Sequence, residues 1–124
     1  MIYKTRAFQS SFKKASIDDK DLAATCDEMT KGLIDASLGE NLFKKRIAMP
    51  GQGKSGSYRT MIGALIGSKY FFLYMFATSD KANINKREEL ALKELAKELI
   101  NLDQKTLGHL IRRGELIEVE ISNE

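Results

Sequence analysis

Two runs rich in β-branched and aromatic residues, 57–66 and 69–77, flank the dipeptide Gly67-Ser68, and this arrangement constrains the chain more than any other. Such residues favour strands, and a glycine-first dipeptide suits a two-residue hairpin turn. In that register Ile66 lies opposite Lys69 and Arg59 opposite Phe76. Alternation along the strands then puts Thr60, Ile62, Ala64, Phe71, Leu73 and Met75 on one face, a pure core face. The other face carries Arg59, Met61, Tyr70, Phe72, Tyr74 and Phe76. An arginine among aromatics reads either as a stacking surface for single-stranded nucleic acid or as a second apolar layer beneath a helix.

The charge pattern around this hairpin is lopsided. Between Glu40 and Asp80 there is no acidic residue, while Lys44, Lys45, Arg46, Lys54, Arg59 and Lys69 supply six positive charges. The chain has 20 basic and 17 acidic residues, so the rest holds 20 − 6 = 14 basic against 17 acidic. The net charge of +3 is therefore +6 in this stretch and −3 elsewhere. A basic sheet on a mildly acidic body points to an anionic partner, and nucleic acid is the leading candidate.

The remaining elements follow from periodicity. Residues 2–8 alternate and read as a first strand, and 10–15 as a helical turn with Phe12 facing inward. Ser16 with Asp19 resembles a helix start, after which Leu22, Cys26, Met29 and Leu33 mark one face of an amphipathic helix. Residues 42–49 form a strand with Phe43, Ile47 and Met49 on one side and Lys44, Arg46 and Ala48 on the other. Asn85 and Glu88 make a capping pair for a long helix whose inner face is Leu92, Leu95, Ala96, Leu99 and Leu102. Asp103 caps a shorter helix through Leu107, Leu110 and Ile111, stopped at Gly114. Residues 116–121 alternate as a last strand. These elements define an α+β class, a mostly antiparallel sheet packed by helices. The 124 residues suit one domain over 1–124.

Several function classes are disfavoured. Gly53-Lys54-Ser55 invites a phosphate-binding P-loop, but the pattern requires a glycine where Ala48 stands and a helix where a strand pattern follows. One histidine, His109, and one cysteine, Cys26, make a metal site improbable, and neither metal nor cofactor is expected. Cys26 lies on the apolar stripe and reads as a packing thiol. His109, on the late helix, reads as a solvent or core histidine. No apolar run approaches the roughly 20 residues of a membrane span. The first residues lack a secretory pattern, so the expected location is the cytoplasm.

The run Lys44-Lys45-Arg46-Ile47-Ala48, the decapeptide Gly-Gln-Gly-Lys-Ser-Gly-Ser-Tyr-Arg-Thr from Gly51, Phe76-Ala77, and Lys81-Ala82-Asn83-Ile84 together resemble the HigB-like branch of the RelE/ParE toxins. The likeness continues through the Glu-Leu-Ala-Leu-Lys-Glu-Leu-Ala segment from Glu89. It implies a small toxin of a type II toxin–antitoxin system, with helices packed on a curved, mostly antiparallel sheet. Relatives of one kind cut messenger RNA in the ribosomal A site; ParE-like relatives inhibit DNA gyrase. The resemblance points to Lys54, Tyr58, Arg59 and Lys81 as catalytic, with Lys44, Lys45, Arg46, Tyr74 and Phe76 as RNA-binding. It also implies a cognate antitoxin, expected to be a helix-turn-helix protein from the adjacent gene. Similar sequences commonly carry a lysine where this chain has Thr78, and a glycine where it has Ser57.

The chemistry is consistent with that family. RNA cleavage needs no metal when the 2′-hydroxyl attacks the neighbouring phosphate, but it needs a base, cations and an acid. Arg59 suits a phosphate clamp; Lys54 serves as base only where neighbouring cations lower its pKa. Three readings remain: a ribosome-dependent endoribonuclease, a non-enzymatic inhibitor of gyrase or another protein, and a catalytically silent nucleic-acid-binding relative. The expected arrangement has the helices and last strand on one side of the sheet, leaving Lys44, Arg46, Lys54 and Arg59 exposed on the other.

Overall fold

The computed structural model describes residues 1–50 and 56–120. In order, the elements are β1 (Ile2–Thr5), α1 (Arg6–Phe12), α2 (Asp19–Thr30), β2 (Ala36–Gly39), β3 (Leu42–Ala48), β4 (Ser57–Leu65), β5 (Lys69–Ala77), α3 (Lys86–Ile100), α4 (Gln104–Arg112) and β6 (Leu116–Glu118). Six strands form one sheet in the order β2-β3-β4-β5-β1-β6. Every pairing is antiparallel except β1 with β5. The α+β class expected from the sequence is the one found. No helix among the described residues is long and apolar enough to cross a membrane.

The first strand ends three residues earlier than its alternation suggests. Thr5 caps α1, its hydroxyl accepting from the Phe8 amide at 3.1 Å, and Phe8 then stacks on Phe12 one turn later at 5.7 Å. The start of α2 is likewise displaced. Asp18, not Ser16, is its cap, and Asp21 completes the capping box. Leu22, Cys26 and Met29 are buried as expected, but Leu33 lies beyond the helix end and is exposed. The short strand β2 carries too little alternation to be seen in the sequence. It joins β3 through Glu40 and Asn41, both at positive φ, the geometry of a tight hairpin turn.

The β4–β5 hairpin differs from its expected form in two compensating ways. Its loop has three residues, with Leu65 opposite Lys69, and Gly67 supplies a φ of +84°. That shifts the register by one. A bulge then shifts it back: Met61 pairs with Tyr74 but Ile62 pairs with Phe72, so Leu73 is the extra residue. Arg59 therefore does face Phe76, as the simpler turn predicts. Between turn and bulge, however, the faces of β5 are exchanged, since a one-residue slip inverts every side chain. Tyr70 and Phe72 join Ile62, Ala64 and Met75 on one side. Phe71, Leu73, Tyr74 and Phe76 join Met61 on the other.

Both sides of this sheet are apolar, so helices cover both, not one side as expected from the sequence. Against Ile62, Phe72 and Met75 pack Phe8 and Phe12 of α1 and Leu22, Cys26 and Met29 of α2. Against Met61, Phe71 and Leu73 pack Ala96 and Leu99 of α3 and Leu107 of α4. The last strand, β6, extends the sheet beside β1 and does not lie across a face. Two ion pairs help seat α2: Lys4 Nζ reaches Asp19 at 3.0 Å, and Lys45 Nζ reaches Glu28 at 2.9 Å.

Helix α3 comes closest to the sheet at Gly63. A Cβ there would stand 2.8 Å from the Ala96 Cβ and 3.1 Å from its Cα. Gly63→Ala therefore forces the helix outward and should destabilise the fold by about 1–3 kcal/mol, the ordinary cost of overpacking. Urea denaturation should show a lower midpoint with an unchanged slope; an unchanged midpoint would mean that α3 is not seated on β4.

Candidate nucleic-acid interface

Cross-strand pairing builds the site. On the face that α3 covers in part, Arg46 of β3 lies directly opposite Arg59 of β4, and Arg59 opposite Phe76 of β5. One step along the sheet, Lys44 faces Met61, and Met61 faces Tyr74. Like charges placed directly opposite each other are destabilising unless an anion joins them. Among the described residues neither arginine has a carboxylate within ion-pair distance. The Nε of Arg59 is buried without a hydrogen-bond partner. Arg59 itself is half-buried, so the donors it keeps at the surface are suited to an incoming anion.

Lys81 reaches the same surface from the turn after β5. That turn is closed by the Asp80 and Lys81 amides, which donate to the Ala77 carbonyl at 3.0 and 3.3 Å. Lys81 Nζ lies 5.5 Å from the Tyr74 ring centroid and 5.8 Å from that of Phe76. The two rings are themselves neighbours at 5.7 Å. Nζ also donates to Glu88 Oε2 at 2.6 Å and to the Tyr74 hydroxyl at 3.5 Å. The Glu88 hydrogen bond is the main reason the Lys81 pKa stands above its ordinary value. Lys81 is thus a fixed cation and a poor base. Tyr74 is half-buried and Phe76 is 9% exposed, so Phe76 serves as a floor under the site.

Two of the expected residues are turned away. Lys45 points to the α2 face, is 9% exposed and pairs with Glu28. The alternation that groups Lys44 with Arg46 excludes Lys45, so the strand pattern already contained this separation. Tyr58 sits on the same α2 face, packed against that core, and its hydroxyl meets the Ser16 amide at 3.1 Å and hydroxyl at 3.2 Å. The strand begins at Ser57, leaving no irregular segment to redirect Tyr58 toward Arg59. Lys54 lies outside the described residues. On either side of residues 51–55, Met49 N donates to Gly56 O at 3.2 Å.

The two departures from the family pattern touch each other. Thr78 donates its amide to the Ser57 carbonyl at 3.0 Å, and its hydroxyl lies 3.2 Å from that of Ser57. They extend the β4–β5 pairing by a step. His109 is exposed on α4. Cys26 is buried, its thiol pushed up to about 12 chiefly by that burial. The sequence marks Glu88 only as a helix cap. Its contact with Lys81 was hidden because it crosses the turn between β5 and α3.

The electrostatics of this pair can be tested directly. Glu88 is held below its ordinary 4.5, first by Lys81 and then by the Asn85 amide. A depressed carboxyl stabilises the fold above 4.5 and loses that contribution as pH falls through its folded value. Lys81, raised above 10.5, contributes below that pH and loses its share as pH rises through its folded value. The pair is therefore complete between these limits. Carboxyl NMR should show Glu88 titrating low in the wild type and nearer 4.5 in Lys81→Ala; an unmoved midpoint would disprove the contact.

The family model described as "RelE toxin of RelE / RelB toxin-antitoxin system" matches residues 1–119. Among curated proteins none matches the chain.

Proposed function

We propose a ribosome-dependent endoribonuclease, from the premise that this chain belongs to the RelE toxin family. Membership makes it a toxin with an antitoxin partner; the proposal concerns how it acts. The observation that carries it is the Arg46–Arg59–Phe76 row, two guanidinium groups with no ion-pair partner among the described residues, beside an aromatic ring. Phosphates and unstacked bases are the ligands such a surface accommodates.

The messenger RNA strand lies across the sheet end that α3 leaves open. Arg59 clamps the non-bridging oxygens of the scissile phosphate. The 2′-hydroxyl of the preceding ribose attacks that phosphorus, its proton passing to a base; the P–O5′ bond breaks to leave a 2′,3′-cyclic phosphate, and the departing 5′-oxygen takes a proton from water. Lys81, a protonated amine, is the proposed stabiliser of the leaving oxygen. Lys54 is the proposed base, a role that requires its amine to be less basic than an ordinary lysine. Lys44 and Arg46 follow the backbone away from the cut. Tyr58 has no part, because the sheet stands between it and Arg59. With no histidine pair, the protein aligns its substrate poorly alone, and the ribosome supplies the alignment. The antitoxin is proposed to be a helix-turn-helix protein with an acidic and apolar segment.

Arg59→Ala should reduce cleavage by about 100- to 1000-fold, the cost of removing one transition-state donor. Arg59→Lys should restore only part, since a point charge lacks the two-pronged fork. Tyr58→Phe should leave cleavage within a few-fold while losing about 1 kcal/mol of stability with the Ser16 contacts. Primer extension on messenger RNA in a reconstituted translation mixture measures all three. Growth arrest without ribosome-dependent cuts would transfer the toxin to a protein target such as gyrase. Silence restored to activity by Thr78→Lys would identify a nuclease inactivated at one position.

A further inference from the structure

Arg59 lies opposite Phe76, and Lys81 lies over both rings of the Tyr74–Phe76 platform. Lys44 and Arg46 stand one strand further along the same face. Among the described residues only Lys81 of these four holds a carboxylate in a direct ion pair. Glu88 divides its two oxygens. Oε1 accepts from the Asn85 amide at 2.8 Å, closing the capping box of α3. Oε2 lies 2.6 Å from Lys81 Nζ. The helix start thus delivers one anionic oxygen to the ammonium beside the aromatic pair. A hollow of about 220 Å³ lined by Tyr74, Glu88, Ala91 and Leu92 opens next to it.

We propose that Glu88 is a positioning residue whose Oε2 stands in for a phosphate oxygen of the RNA strand, holding Lys81 at the platform until RNA displaces it. This rests on the nucleic-acid reading of the site. A carboxylate and a phosphate make the same short charge-assisted bond to an ammonium, so the exchange trades like for like. Exposure of the lysine separates this pair from those of Lys4 and Lys45. Their side chains are 5% and 11% exposed against 33% for Lys81, although Asp19 and Glu28, at 41% and 50%, are more exposed than Glu88 at 28%. The first two are seated for good; the third is within reach of a ligand. A half-exposed ion pair contributes little net free energy, which makes it exchangeable. Oε1 stays anchored at Asn85 during the exchange, so α3 does not unwind. Glu88 also raises the threshold for binding, since an anion gains Lys81 only where it reaches that one position.

The decisive variant is Glu88→Gln, because glutamine also serves at the third position of a capping box while carrying no charge. The probe is a fluorescent single-stranded RNA with 2′-O-methyl riboses, which binds and cannot be cut. Its affinity is measured by anisotropy across a salt series for the wild type, Glu88→Gln, Lys81→Ala and the double variant, with thermal unfolding run on each. Glu88→Gln should bind about two- to fivefold tighter, the equilibrium worth of an exposed ion pair. Its plot of log K against log salt should steepen by at most about 0.7, because the Glu88 carboxylate set free in the wild type takes up a counterion that a glutamine does not. Both effects should disappear in the Lys81→Ala background. Unchanged affinity, or a gain that persists without Lys81, overturns the proposal and leaves the nuclease reading standing. Failure of all four proteins to bind the probe at low salt overturns the role of Glu88, while the nuclease reading is decided separately by primer extension in the translation mixture.

Discussion

Leu73 has no partner across β4, and on account of it Leu73 and Tyr74 both face α3 and α4. Removing that bulge would shift β5 by one residue on one side of it. Tyr74 and Phe76 would then leave the surface where Arg59 emerges, or Phe72 would leave the core under α1. The bulge thus lets one strand serve two cores and still present an aromatic pair at its far end. The three-residue turn at Gly67 is the other half of the same arrangement, since the bulge cancels the offset the turn creates.

The positive charge of the sheet is divided by face. Lys4 and Lys45 point toward α2 and are neutralised there by Asp19 and Glu28, tying the helix down at both ends. Lys4 also lies 4.4 Å from the Phe12 ring, a cation on an aromatic face. Lys44, Arg46 and Arg59 point the other way and have no ion-pair partner among the described residues. A cross-strand arginine pair and a buried, unbonded Nε each cost stability. The rest of the fold offsets these terms with two packed cores, which is how a binding surface is retained against stability. Basic residues in one acid-free stretch therefore do two different things, holding a helix on one face and awaiting an anion on the other.

The sequence was sufficient wherever a local rule decides the outcome. Asn85 with Glu88 starts α3, Asp103 starts α4, Gly114 ends it, and the strands expected at 42–49, 57–66 and 69–77 are found at Leu42–Ala48, Ser57–Leu65 and Lys69–Ala77. The pairing of Arg59 with Phe76 was also legible, though the simpler turn reaches it by a different path. Family membership was written in the residues from Lys44 to Ile84. Local rules failed where two of them competed. Alternation through Phe8 lost to the Thr5 cap, and Ser16 lost to Asp18 because the Asp18–Asp21 pair satisfies both backbone donors.

What only the tertiary structure decided is which basic and aromatic residues share a face. Strand parity is a count, and a single bulge resets it, so Phe72 and Tyr74 part company although the sequence spaces them alike. Helices on both sides of the sheet could not be deduced from an exposed-looking row of lysines, because burial depends on what the distant segments 86–112 pack against. The junction of Lys81 with Glu88 and Tyr74 needs the turn after β5 to fold back onto α3. Such contacts join residues whose spacing follows no helical or strand period. Pairwise geometry in three dimensions determines them, and the order of residues along the chain supplies only the chemical groups that meet.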